Sequence, residues 1–196
     1  MRILTVSDTE SKALWEHYEQ NKITDTDLII SCGDLHPHYL SFLVTMTNVP
    51  LLYVLGNHDE LYDTLPPEGC ICIDDEVYVH NGVRILGLGG SSRYRNGTYM
   101  YTEKAMEKRI RNVRKKIKRV GGIDIVVTHA PLRGMGDGED VAHQGFQAFY
   151  PLLEEYTPQY MLHGHMHLEY SRDLKRSLTY RNTTVVNTYE KYYVEI

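Results

Sequence analysis

Acidic and imidazole side chains recur in this sequence at one kind of place, directly after a short apolar run. LTVSD ends in Asp8, LIISCGD in Asp34, LLYVLGNHD in Asn57, His58 and Asp59, IVVTH in His129, and YMLHGHMH in His163, His165 and His167. Each has an ordinary reading alone, since Asp after Ser or Gly, and Asn after Gly, are common turn or cap residues. Their recurrence asks for another, because carboxylates and imidazoles beside apolar strands cost too much to desolvate unless they are paired or bind metal. A mixed Asp, Asn and His set suits cations such as Mn, Fe or Zn better than a thiolate site would. Gly33 and Gly56 each precede one of these residues and permit tight backbone paths; in an extended segment His165 and His167 would share one face, while a sharp turn at Gly164 would let them diverge toward two nearby ions.

The elements that must position these groups are short and alternate. Apolar runs at 2–7, 27–32, 51–55, 83–88, 123–128, 159–162 and 183–188 have the length of buried strands. Helical patterns are expected at 11–21, 38–47, 102–120 and 145–156. The class is therefore α/β, and the carboxyl ends of its strands form one rim outside which ligands bind. Asn81-Gly82 within 77–89 signals a hairpin, so the sheets are mixed.

The 196 residues are 42% hydrophobic, enough for one well-buried core, and a single domain over 1–196 is expected. A formal charge of −5 argues against a general binder of nucleic acid or anionic membrane. No run reaches the roughly 20 apolar residues of a membrane span, and the N-terminus has no signal-peptide pattern, so a cytoplasmic protein is expected. Cys32, Cys70 and Cys72 make no disulfide framework, which fits a reducing compartment, and Cys70-Ile-Cys72 reads as packing. KRIRNVRKKIKRV at 108–120 places apolar residues at helical spacing and lacks interleaved aromatics, so its cations read as a solvated helix face. His163 reads as buried and hydrogen-bonded.

The ordered series Asp8, Gly33-Asp34, Gly56-Asn57-His58-Asp59, Thr128-His129 and Gly164-His165-Met166-His167 resembles the calcineurin-like metallophosphoesterases over nearly the whole chain. The resemblance implies a four-layer α/β/β/α sandwich with mixed sheets and a two-metal site. It makes Asp34 the carboxylate shared by both ions, gives Asp8 and His167 to the first and Asn57, His129 and His165 to the second. It also makes His58 the general acid, with Asp59 as its orienting partner. Two divalent ions, Mn foremost with Fe, Zn, Ni or Mg as alternatives, would activate water for attack on a phosphomonoester or phosphodiester. Nucleic acid enters only as a possible substrate, and no membrane partner is expected.

One departure stands out. Where the family pattern D-x-H ends in a ligating histidine, this chain has Asp8-Thr9-Glu10. A Glu oxygen is a competent hard ligand, yet Glu at a helix start is also favoured by the helix dipole, and both readings of Glu10 stand. His36, His143, Arg93 and Arg95 are candidates for contacting substrate from the rim. A non-catalytic scaffold on the same fold is the alternative function, and retention of His58 argues for the enzyme, since a scaffold needs no proton donor beside Asn57.

Overall fold

In each central strand, successive side chains point to opposite faces, and here both faces are apolar. The computed structural model describes residues 1–18, 23, 25–170 and 173–196. Strands β1 (Arg2–Ser7), β2 (Leu28–Ser31), β3 (Leu51–Tyr53) and β4 (Ile71–Cys72) run parallel, and β13 (Glu190–Glu195) pairs antiparallel with β1, giving the order β13-β1-β2-β3-β4. The second sheet comprises β5 (Val77–His80), β6 (Val83–Leu88), β9 (Ile125–Thr128), β10 (Tyr160–His163), β11 (Ser177–Tyr180) and β12 (Thr183–Asn187), in the order β11-β12-β10-β9-β6-β5. Its inner strands are parallel and its two edges antiparallel. A small parallel pair, β7 (Ser91–Ser92) and β8 (Met100–Tyr101), leads into the helix that follows.

The alternation along each strand divides the core into three layers. Ile3, Leu28, Ile30 and Leu52 from the first sheet meet Ile85, Ile125, Val127, Leu162 and Val186 from the second. The intervening Leu4, Val6, Ile29 and Leu51 face Tyr39, Leu40 and Leu43 of α1 (Pro37–Thr47). Leu86, Val126, Met161 and Val185 face Met106, Ile110, Val113 and Ile117 of α2 (Glu103–Val120) and Phe149 and Leu152 of α3 (Phe149–Tyr156). Burying each such Leu or Ile contributes about 1.5–3 kcal/mol. The result is the expected α/β/β/α layering.

Local chemistry explains the helix limits. In α1, Pro37 takes the first helical position, and the His36 ring accepts a hydrogen bond from the His38 amide at 3.3 Å. Thr102 caps α2 by accepting from the Ala105 amide at 3.2 Å, and Gly121, at φ 83°, closes it.

Three expectations need correction. Residues 12–17 form a succession of turns rather than a helix, with Leu14 N bonded to Ser11 O and His17 N to Lys12 O; the rest of the expected 11–21 helix falls partly on 19–21, outside the described residues. Residues 145–148 stay extended or turned, because Phe146 bridges to Leu132, so α3 begins only at Phe149. Within the basic run, Arg109 is buried, not solvated, and pairs with Asp74 and Asp75.

The edge strands β11 and β13 add to the expected set. Their sequences, SLTY and EKYYVE, carry few aliphatic residues because only one face of each is covered. No helix among the described residues is long and apolar enough to cross a membrane.

Candidate metal centre

Five strand ends do converge on one place. Asp8 follows β1, Asp34 stands three residues after β2, Asn57 and His58 lie on the loop after β3, His129 follows β9 directly, and His165 stands two residues after β10. Asp8, Asp34 and His165 have φ of 63°, 57° and 68°, left-handed values that cost a non-glycine residue on the order of 1 kcal/mol or more. A side chain at Gly56 would put its Cβ 2.0 Å from Asp34 Oδ1, and one at Gly164 would come 2.7 Å from Asp8 Oδ2. Only glycine lets the backbone approach the carboxylates this closely.

The hydrogen bonds fix which lone pairs face inward. His129, fully buried, donates from Nδ1 to the Cys32 carbonyl at 2.8 Å, because a carbonyl can only accept. His165 in the same way donates from Nε2 to the Ala142 carbonyl at 2.7 Å. As neutral imidazoles they therefore present lone pairs at His129 Nε2 and His165 Nδ1, and these atoms face each other at 3.1 Å. Asn57 Oδ1 lies 3.0 Å from His129 Nε2, and Asp34 Oδ2 lies 3.3 Å from it. Ligand atoms of Asp34, His129 and His165 all fall within 4.8 Å of one another. With both imidazoles neutral, four acceptors would point at one another, an arrangement relieved by a proton on His129 Nε2 or by a cation among them. Asn57 is 1% exposed, and its Nδ2 finds no acceptor among the described residues.

The electrostatics agree. Burial opposes a charged His129, but the Asp34 carboxylate beside it and Asp8 beyond outweigh burial and hold its pKa up at about 9. Burial would raise Asp34, yet His129 and the His58 amide, which donates to Asp34 Oδ1 at 2.8 Å, keep it below the ordinary carboxylate range. Burial, then the neighbouring His129, push His165 far down. Without metal, one proton on His129 takes the positive position. A divalent ion would compete for the same place.

The remaining candidates fall into groups. Asp8 accepts from the His165 amide at 2.8 and 3.0 Å through its two oxygens, and burial raises its pKa. His167 stacks on Tyr170, rings 4.7 Å apart, and tilts against Tyr189. Glu10 lines a cleft with Asp8, Asp34 and His36. None of Asp8, Glu10 and His167 joins the converging group of Asp34, His129 and His165 among the described residues. His58 is exposed on the rim of the neighbouring cleft.

Asp59 differs from expectation. Its Oδ2 accepts from the amides of Gly56 at 2.7 Å and Asp34 at 3.0 Å, so what it orients is the backbone of the two ligand loops, not the His58 ring. Burial and the Asp34 charge raise it to about 7.

Of the substrate candidates, His143 lies in the cleft, its Nδ1 bonded to Asp140 at 2.7 Å and its ring 5.4 Å from that of His165. Arg93 and Arg95 do not line it. Arg93 donates to the Met100 carbonyl at 3.3 Å, and the Arg95 guanidinium lies over the Tyr94 ring. Tyr94 between them lines the cleft, as does Tyr170. Neither tyrosine carries a sequence signal, because each comes from a loop among 16 tyrosines. His163 is buried and donates from Nδ1 to Gly164 O, as expected. Cys70 and Cys72 sit at the β4 edge, away from these groups.

Solved structures share this architecture. One has a TM-score of 0.70 at 13% identity, with 98% of this chain and 94% of that chain covered. Another, TT1561 of Thermus thermophilus, has a TM-score of 0.65 at 16% identity, with 96% and 89% covered. At such identities the likeness concerns the fold alone. No curated protein matches the sequence. The model of the calcineurin-like phosphoesterases matches residues 1–169, which takes in all five ligand-bearing strand ends, and the chain belongs to that family.

Proposed function

We propose that the protein is a metal-dependent phosphoric ester hydrolase working at a two-metal centre. The observation that carries this reading is the set of four mutually facing acceptors, Asp34, Asn57, His129 and His165, with both imidazole tautomers fixed by backbone carbonyls. These four would hold one ion; Asp8, His167 and Glu10, with Asp34 shared, would hold the other. Manganese is the foremost choice for this oxygen and nitrogen donor set. When bound, the ions supply positive charge that polarises the phosphoryl oxygens and lowers the pKa of water.

The chain's own groups do the rest. The cleft over the acceptors, about 360 Å³, receives the phosphoryl group. Water attacks phosphorus, the ester P–O bond breaks, and exposed His58 gives its proton to the departing oxygen. The His58 amide, tied to Asp34, keeps that ring beside the reacting centre. Asp59 fixes the Gly56 and Asp34 backbones, and so the distance between the two ligand loops. His143, steadied by Asp140, contacts the substrate from the opposite loop, and His36 borders the adjoining cleft.

The test uses chelated protein, then protein reloaded with Mn, Fe, Zn, Ni or Mg, on mono- and diester substrates. Activity should vanish on chelation and return with Mn. His58→Ala should lower kcat by about 10²–10⁴-fold with metal content unchanged. No turnover with any metal on either ester class would favour the scaffold reading instead.

A further inference from the structure

Three clefts around the candidate metal centre share wall residues. The middle cleft shares Asp8 and Asp34 with a second of about 380 Å³, whose other walls include Lys12, Trp15 and His36. At a different margin it shares His143 and Tyr170 with a third of about 480 Å³, walled by Asp137, Met166 and Leu174. Space for an organic group is therefore available at two margins of the position where phosphorus would sit.

Both extensions are built to hold such a group. The Trp15 indole is held edge-on by Tyr39 and Phe42, with ring centroids 5.6 and 4.9 Å away, and it remains only half-buried. Exposed Lys12 has no hydrogen bond or ion pair from its ammonium among the described residues. On the other side, Tyr170 is 56% exposed although one ring face is stacked on His167, so its phenol offers further surface toward the cleft.

Charge points the same way. Beside the charge that the proposed ions would supply, a phosphomonoester, with about −1.5 to −2 charge at neutral pH, is ordinarily clamped by arginine or lysine as well. The described residues lining the middle cleft include neither, and the nearby Arg93 and Arg95 are engaged with Met100 O and the Tyr94 ring. A diester carries a single negative charge and two terminal oxygens, a smaller demand on the cleft.

Building on the phosphoesterase reading above, we infer that this site takes phosphodiesters in preference to monoesters, with one organic arm along Trp15 and Lys12 and the other along Tyr170 and Leu174. Water adds to phosphorus and loses a proton to solvent, one ester P–O bond breaks with its electron pair on the leaving oxygen, His58 protonates that oxygen and is reprotonated from solvent, and the product is a monoester that retains one arm only. Having lost the second arm, that product binds less well and leaves.

The experiment compares Mn-loaded full-length protein on bis(p-nitrophenyl) phosphate, methyl p-nitrophenyl phosphate and p-nitrophenyl phosphate. The two-armed diester should exceed the monoester in kcat/KM by about 10-fold or more, and exceed the methyl diester mainly through KM. Trp15→Ala and Lys12→Ala should each lower the ratio of two-armed to methyl diester by about 3- to 10-fold. Lys12 is exposed, so its variant stays informative if loss of the indole harms folding. A monoester turned over as well as the diesters overturns the inference and leaves the phosphoesterase reading standing. Ratios unmoved in both variants overturn the placement of the arm. Hydrolysis of none of the three overturns the phosphoesterase reading and this inference with it.

Discussion

Two buried groups of charge in this protein meet the cost of leaving water in opposite ways. Around Arg109, each guanidinium nitrogen has an acceptor: Nε bonds Asp75 at 2.9 Å, one terminal nitrogen bonds Asp74 at 2.6 Å, and the other bonds the Gly89 carbonyl at 2.6 Å. Asp74 accepts in addition from the Gly89 amide, and the guanidinium lies 4.3 Å from the Tyr101 ring centre. At the strand ends, acceptors face acceptors, and three residues carry left-handed backbone. The first group is closed and needs nothing more. The second needs an added positive charge, a proton on His129 or a metal ion, which is what the proposed metal centre would supply.

This contrast predicts opposite responses to losing a charge. The largest effect is expected at the open centre: Asp34→Asn removes the carboxylate that the proposed two-metal reading shares between both ions, and metal affinity should fall by more than the 10–100-fold typical of outer partners, taking turnover with it. In the metal-free form the same substitution takes away the carboxylate that pairs with protonated His129, so stability should fall, but by less than the loss expected for Arg109→Ala, because His129 can give up its proton. Metal analysis and denaturant unfolding read both halves. A large loss of stability in the metal-free variant would make the centre a structural network like the other.

Arg109→Ala should do the reverse. It leaves Asp74 buried and unpaired, which costs about 3–5 kcal/mol, while metal bound per folded molecule stays near wild type. Equilibrium urea unfolding checks the first statement and metal analysis the second.

The smallest effect sharpens the boundary of the open centre. If Glu10 is a ligand, Glu10→Ala should empty the first ion's position alone, and Glu10→His should tilt preference toward Zn. If Glu10 serves only its own turn, both variants keep two ions and differ from wild type by a few tenths of a kcal/mol. Metal-to-protein ratios in the two variants decide between these outcomes.

The open centre is far more legible in the sequence than the closed one. Asp8, Asp34, Asn57, His129 and His165 each follow an apolar run directly, and strand-end placement follows from that run and from the sheet rim. The partners of Arg109 lie 34 and 35 residues away, on the segment between β4 and β5, and nothing local in a basic helical run reveals that one of its cations is buried. The same reason hides Tyr94 and Tyr170, whose position depends on loops. Leu14 and Trp15 lie within the helix expected at 11–21, yet those side chains pack onto α1 from a turn just as well. Asp59 shows a further limit: adjacency to His58 suggests a partnership, while the folded loop sends its carboxylate to two backbone amides.

The central claim is that the facing acceptors await a cation, and anomalous diffraction from Mn-soaked crystals of the full chain tests it most directly. An anomalous peak is expected at about 2.0–2.3 Å from Asp34, Asn57 Oδ1, His129 Nε2 and His165 Nδ1, with both imidazoles still donating to the Cys32 and Ala142 carbonyls. Crystals with no peak among those four atoms, and with His129 Nε2 donating a proton to Asp34 in saturating Mn, would contradict it.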